Sequence, residues 1–145
     1  MRITLDSNIL VRALVSPSGP AHRLLSLIRA DPAHVVVLSS HILEEVKRVL
    51  VYPRLRSRYR ITTMEIQRYV ELLEQAAELV DPTPAGPVVL TDPDDDPVLY
   101  TAVRGKAGVL CTRNHDFFEP NVVAFCTEAG IAVMDDVQLL RLLSG

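Results

Sequence analysis

Two kinds of apolar pattern alternate along the chain. Four short runs are continuously apolar: ITL within residues 2–5, VVVL at 35–38, VLC within 108–112 and IAVM within 131–135. Runs of this length without a polar face predict strands buried on both sides, as in a parallel sheet. Between them, apolar residues recur at spacings of three and four. Leu24, Leu25 and Ile28 make one stripe, and Ile42, Leu43, Val46, Val49 and Leu50 a second. Ile66, Tyr69, Val70, Leu73, Ala77 and Val80 make a third. Such stripes predict amphipathic helices with one face on a core.

The punctuation agrees. Ser7 is placed to cap a helix over NILVRALV, which SPSGP breaks. Ser39 or Ser40 caps the next, which runs to Leu50 ahead of Pro53. Thr62 and Glu65 have the spacing of a capping box, opening a long helix that reaches Val80. DPTPAGP is a turn-rich connector, and VVL at 88–90 is a short strand or an extended loop. VLYTAVRG predicts a helix ending near Gly105, with Asp96 as its cap and Pro97 at its first position. Residues 115–129 read as a turn and then a helix over VVAFCTEA, with Phe117 and Phe118 expected in the core. VQLLRLL closes the chain as a helix.

Strands alternating with helices predict parallel βαβ units and an α/β fold, a three-layer α/β/α sandwich with a mostly parallel central sheet. A chain of 145 residues suits a single domain, residues 1–145. Asp6 and Arg12 interrupt the apolar N-terminal stretch, so neither a signal peptide nor a membrane span is expected. Cys111 and Cys126 lack metal-type spacing and lie in apolar segments. They read as buried free thiols, which suits a reducing, cytoplasmic location. The chain has no Trp, which argues against an aromatic stacking platform for single strands.

Charge changes the picture more. The net charge is −3, yet residues 47–60 (KRVLVYPRLRSRYR) hold six basic residues and no acid, leaving −9 for the remainder. This segment reads either as an anion-binding surface, with Arg54, Arg56 and Arg58 as candidate nucleic-acid contacts, or as a solvated loop paired with acids elsewhere.

The acids are also clustered. DPDDDP, residues 92–97, holds four aspartates in six positions. A calcium loop is excluded: the sixth position of that motif needs Gly and is Pro97, and the twelfth needs Glu and is Val103. Other acids stand where a parallel sheet would gather them. Asp6 follows the first strand, Asp96 opens a helix, and Thr112, Asn114 and Asp116 follow another strand. The carboxyl ends of the strands are where open α/β sheets build sites. Helical phase then selects Glu45 over Glu44, because Glu45 lies at the rim of the apolar face and Glu44 points into solvent. A carboxylate at a buried rim needs a partner or a cation. Asp6, Glu45 and Asp96, with Asn114 or Asp116, are therefore candidates to converge. Oxygen donors without His or Cys favour Mg²⁺ or Mn²⁺, and such clusters suit hydrolysis of a phosphodiester.

In order, these motifs resemble a known family. A strand ending in D-S-N, then S-x-x-I-L-x-E-V-x-x-V-L, then D-P-D-D-D-P-V-L, then C-T-R-N-x-D-F together resemble the PIN domain. The nearest likeness is its bacterial toxin-like group, related to VapC-type toxins. The resemblance implies a Rossmann-like sandwich and a Mg²⁺- or Mn²⁺-dependent ribonuclease acting on RNA. It also implies an antitoxin partner and a homodimer. The family's acidic positions carry over to Asp6, Glu45 and Asp96. The fourth is normally the Asp after T-R or T-G; here that place is Asn114, with Asp116 two residues on. Asn8 and Thr112 match positions that support the acids by hydrogen bonds, and their other reading is local capping or turn satisfaction.

Two further functions compete. A haloacid-dehalogenase-like phosphatase also starts with an aspartate after its first strand, but needs D-x-D, and the third residue here is Asn8. A catalytically weakened PIN-like module that binds RNA or protein draws its support from Asn114.

Overall fold

The computed structural model describes all 145 residues. Five parallel strands form one sheet in the order β3-β2-β1-β4-β5. They are β1 (Arg2–Leu5), β2 (Val35–Leu38), β3 (Ala77–Leu79), β4 (Val109–Cys111) and β5 (Ala132–Met134). Eight helices join and flank them: α1 (Ser7–Val15), α2 (Pro20–Ala30), α3 (Ser40–Leu50), α4 (Pro53–Tyr59), α5 (Thr63–Ala76), α6 (Asp96–Arg104), α7 (Pro120–Glu128) and α8 (Asp136–Ser144). Short 3₁₀ turns at Pro93–Asp95 and His115–Phe118 precede α6 and α7.

The chain steps outward from β1 to β3, then crosses back to β4 and on to β5. Parallel crossovers are right-handed. The helices between β1 and β3 therefore cover one face, and α6 and α7 the other. The packing agrees: α1 lies on α2 and α3, α3 on α5, and α8 on α2, while α6 lies across β1, β2 and β4. Gly105 ends α6 against the sheet, where a Cβ would run into the Val37 side chain.

The inner strands are apolar on both faces because both faces are covered. Ile3, Leu5, Val37, Leu38, Leu110 and Cys111 are fully buried. The pairing is in register from Ile3↔Val109 to Leu5↔Cys111. Asp6 and Thr112 thus leave the sheet side by side, at the point where the strand order reverses. The Asp6 N–H still donates to the Cys111 carbonyl (2.9 Å), and the Thr112 N–H to that of Met134 (2.9 Å).

Several expectations meet corrections. The long helix expected to reach Val80 is α5, which stops at Ala76, and Ala77–Leu79 turns into the edge strand β3 beside β2, with Val36↔Ala77 and Leu38↔Leu79 paired. An unpaired edge of β2 would leave backbone groups without partners, and this pairing outweighs the helical propensity of Ala and Glu. Of the two readings of residues 88–90, the loop is the one observed, with Val88 and Val89 buried in it. Asp6, not Ser7, caps α1. Ser39 is the cap position of α3, but its hydroxyl accepts from Thr101 (2.8 Å) instead of capping. The basic segment is no loop, since Pro53–Tyr59 is helical. Phe117 is fully buried, whereas Phe118 is 40% exposed. The Thr62–Glu65 capping box is present as expected. Cys111 and Cys126 are buried free thiols, and burial pushes Cys126 up to about 11. No helix is long and apolar enough to cross a membrane.

Candidate metal centre and its flanking clefts

Asp6 stands where β1 gives way to α1, and it is 3% exposed. A carboxylate that deep requires donors. It has three: the Ser7 N–H (2.7 Å), the Thr112 hydroxyl (2.8 Å) and the Asn8 amide (3.1 Å). Burial raises the Asp6 pKa, the donors from Thr112 and Ser7 oppose that rise, and the nearby Glu45 charge adds to it. Asn8 also reaches across the sheet end, accepting from the Arg113 N–H (3.0 Å). Thr112 in turn accepts from the Asn114 N–H (3.0 Å). Asn8 and Thr112 therefore bind the β1 and β4 termini together around one carboxylate.

Glu45 comes from α3 at the phase its sequence indicates. Ile42, Leu43, Val46 and Leu50 are buried and Glu44 is exposed. The Ser7 hydroxyl donates to Glu45 Oε1 (2.8 Å). On the other side, His41 Nε2 and Arg48 Nη2 approach Oε2 at 3.7 and 4.0 Å.

The DPDDDP stretch divides its aspartates between two tasks. Asp96 is 4% exposed, and its Oδ1 accepts the N–H groups of Val88 (3.1 Å) and Val89 (2.8 Å). It pins the preceding loop to the first turn of α6. This corrects the cap assignment, because α6 begins at Asp96 and its cap is Asp95. It is also Asp95, one residue earlier, that turns towards Asp6. One carboxylate oxygen from each of Asp92, Asp95 and Asp116 lies within 4.8 Å of the others. Asp95 is pushed up to about 7: burial is the largest cause, and the charges of Asp92, Asp6 and Asp116 add to it, against a lowering hydrogen bond from Asn114. The sequence does carry a signal for this choice. Asp96 is in helical phase with the buried Leu99 and Tyr100, so its side chain faces inward.

Asn114 and Asp116 also separate. The Asn114 amide donates to Asp95 Oδ2 (2.8 Å), and its oxygen accepts the Asp116 N–H (3.0 Å). Asn114 thus turns its NH₂ to the cluster and spends its oxygen on the turn that carries Asp116. The burial of Phe117 at the end of this turn holds Asp116 beside Asp92 and Asp95.

Two clefts flank the acids. One, of about 500 Å³, is lined by His41, Glu45, Arg48, Asp92 and Asp95 among others. The second, of about 350 Å³, is lined by Ser7, Asn8, Arg12, Glu45, Val49 and Arg113 with Val11. Glu45 faces both.

The basic residues named from the sequence have different surroundings. Arg56 braces the end of α4, donating to the Ile61 carbonyl (3.4 Å) and the Thr63 hydroxyl (2.9 Å). Arg54 and Arg58 are exposed and line a shallow groove with Val49, Tyr52, Leu55 and Tyr59. Arg58 lies over the Tyr59 ring at 5.4 Å.

A family model described as PIN domain matches residues 2–116. The chain belongs to the PIN domain family. The match spans every acid of the cluster, from Asp6 to Asp116. Among solved structures, this PIN domain is similar to a chain in the crystal structure of VapBC2 from Rickettsia felis bound to a DNA fragment from their promoter. The two share 17% identity at a TM-score of 0.55, over 92% of this chain and 98% of that one. At that identity the likeness is one of fold. No curated protein matches the chain significantly.

Site residues that the sequence left unassigned are Asp92, Asp95 and Asp136. Asp136 is fully buried at the start of α8, and its Oδ1 accepts from Arg113 Nε (2.7 Å). Its signal in the sequence is faint, because Asp135 caps the same helix in a capping box with Gln138 and accounts for an acid there.

Proposed function

We propose that this PIN domain is a Mg²⁺- or Mn²⁺-dependent endoribonuclease, the toxin of a toxin–antitoxin pair. One observation carries the reading. Acids from separate elements meet at the strand ends with a half-buried Asp95 pushed up to about 7. Carboxylates held this close repel unless a cation sits among them, and the donor set is oxygen only, which fits Mg²⁺ or Mn²⁺. Asp92, Asp95 and Asp116 would hold the ion, with Asp6 and Glu45 at its rim; Asp95 takes the place that Asp96 holds in the motif-based assignment. An ion held there would supply positive charge to stabilise a phosphodiester under attack by water.

The remaining work falls to the chain's own groups. Thr112, Asn8 and the Ser7 amide fix the Asp6 carboxylate without neutralising it. Ser7 fixes Glu45 at one oxygen and leaves the other towards His41 and Arg48. Asn114 orients Asp95 through an amide that brings no further negative charge. Arg48, on the cleft wall, is placed to attract a polyanion towards acids that would otherwise repel it. The bacterial toxin-like character and an antitoxin partner rest on the motif resemblance and on the shared fold with the VapBC2 chain; a homodimer rests on the motif resemblance alone, and a cytoplasmic location on the two buried free thiols. The second reading, a weakened binding module, rests on Asn114, which contributes no charge at the fourth acidic place.

Incubation of the purified protein with a labelled oligoribonucleotide tests the reading. Cleavage is expected with Mg²⁺ or Mn²⁺, none in EDTA, and none by Asp95→Asn under either condition. RNA binding without cleavage at any divalent ion would overturn it in favour of the binding module.

A further inference from the structure

The cleft beside Glu45 that holds Arg12 and Arg113 carries two guanidinium groups, where its neighbour carries Asp92, Asp94 and Asp95. Both arginines meet one buried carboxylate. Arg113 Nε donates to Asp136 Oδ1 at 2.7 Å, and Arg12 Nε lies 3.8 Å from Oδ2. Asp136 is fully buried, and its Oδ2 makes no hydrogen bond. One negative charge therefore serves two guanidinium groups.

The geometry of the anchor matters more than the count. Asp136 engages Arg113 through Nε, so both terminal NH₂ groups of Arg113 are left without a protein acceptor. Arg2 and Arg56, in contrast, use Nε and a terminal nitrogen together on protein acceptors. The Arg113 side chain is 37% exposed and that of Arg12 is 47% exposed. A guanidinium held by a buried acid behind and open at its outer edge is arranged to receive a planar or tetrahedral oxyanion, at little further entropic cost. The Arg113 backbone is also fixed, because its N–H donates to Asn8, which itself holds Asp6. The outer edge of Arg113 is thereby set relative to the acids.

We infer that Arg113 and Arg12, anchored on Asp136, form a subsite for a backbone phosphate of single-stranded RNA next to the phosphate being cut. The inference rests on the ribonuclease reading and deepens it. Glu45 borders this cleft and the acidic one alike, so a strand crossing the acids has a neighbouring phosphate within the reach of this pair. Val49 lines this cleft and also the groove that carries Arg54 and Arg58. The strand therefore leaves the acids past Arg113 and Arg12 towards α4.

Fluorescence anisotropy of a labelled oligoribonucleotide, titrated with the full chain in EDTA at several KCl concentrations, tests this. Arg12→Gln and Arg113→Gln should each weaken binding by about tenfold. The double variant should reduce the slope of log K against log salt by about 0.7, as for one lost phosphate contact on a single strand. Arg68→Gln, on the exposed face of α5, should leave both unchanged. Because Arg113→Gln strands the buried Asp136, Arg12→Gln serves as the variant whose folding is not at stake. Wild-type binding with a slope that moves in neither Arg12→Gln nor the double variant overturns the subsite and leaves the ribonuclease reading intact. An equal loss in Arg68→Gln overturns it too, since the effect is then one of net charge. Failure of the wild type to bind RNA in EDTA overturns the subsite, whereas the ribonuclease reading stands or falls by the cleavage assay with Mg²⁺ or Mn²⁺.

Discussion

Asp95 and Asp96 are neighbours with opposite roles, so their substitutions should move stability in opposite directions. In the metal-free protein Asp95 is pushed up to about 7 from an ordinary 3.8, first by burial and then by Asp92, Asp6 and Asp116. The folded state therefore holds this proton more tightly than the unfolded chain. Below about pH 4 both states are protonated and the site costs nothing. As pH rises towards 7 the unfolded chain ionises first, and stability falls. Above 7 both states are ionised and the full penalty remains. A rise from 3.8 to about 7 corresponds to about 4 kcal/mol. Asp95 is only partly buried and shares its field with other acids, so solvent screening brings this to about 2–3 kcal/mol. Asp95→Asn keeps an acceptor for the Asn114 amide and removes the charge. In EDTA at pH 8 it should raise Tm by about 6–10 °C, and at pH 4 by nothing. Asp96→Ala leaves the buried Val88 and Val89 amides without their acceptor and should cost about 2–4 kcal/mol. Thermal denaturation followed by circular dichroism reads both. An Asp95→Asn variant no more stable than wild type at pH 8, or equally stabilised at pH 4, would refute the placement of Asp95 among the acids. Mn²⁺ should raise the Tm of wild type and not that of Asp95→Asn, because a ligand stabilises only the state that binds it.

Glu45→Gln should abolish ribonuclease activity in the presence of Mn²⁺, while Glu44→Gln retains it; equal losses would place the helix phase of α3 in error. Asp6→Asn should remove activity with a stability change under about 1 kcal/mol, since the lost repulsion offsets weaker hydrogen bonds; denaturant melts would expose a larger change. Asn114→Asp replaces the donor to Asp95 with a further negative charge. It should lower Tm in EDTA by several degrees and tighten Mg²⁺ or Mn²⁺ binding by about tenfold or more in calorimetric titration; unchanged affinity would show that residue 114 lies outside the ion's reach.

The sequence alone determined whatever depends on residues close in the chain. Apolar runs marked four of the five strands, stripes of period 3.6 marked the main helices, and the Thr62–Glu65 box marked the start of α5. Helical phase separated Glu45 from Glu44, because both lie on one continuous helix whose buried face is plain. Motif order was enough to indicate the fold and the family. Tertiary structure decided what depends on partners distant in the chain. Ala77–Leu79 became a strand because β2 offered it an unpaired edge. Asp96 turned inward because the loop amides of Val88 and Val89 had to be satisfied, which left Asp95 to face Asp6 across the sheet end. Asp116 entered the cluster through the turn that Asn114 and Phe117 hold. Arg113 met Asp136, 23 residues away, only because β5 lies beside β4. Local periodicity fixes which face of an element is buried. Which buried polar atom must find which donor is settled only when the elements pack, since a carboxylate out of water is stable only where its partners already stand.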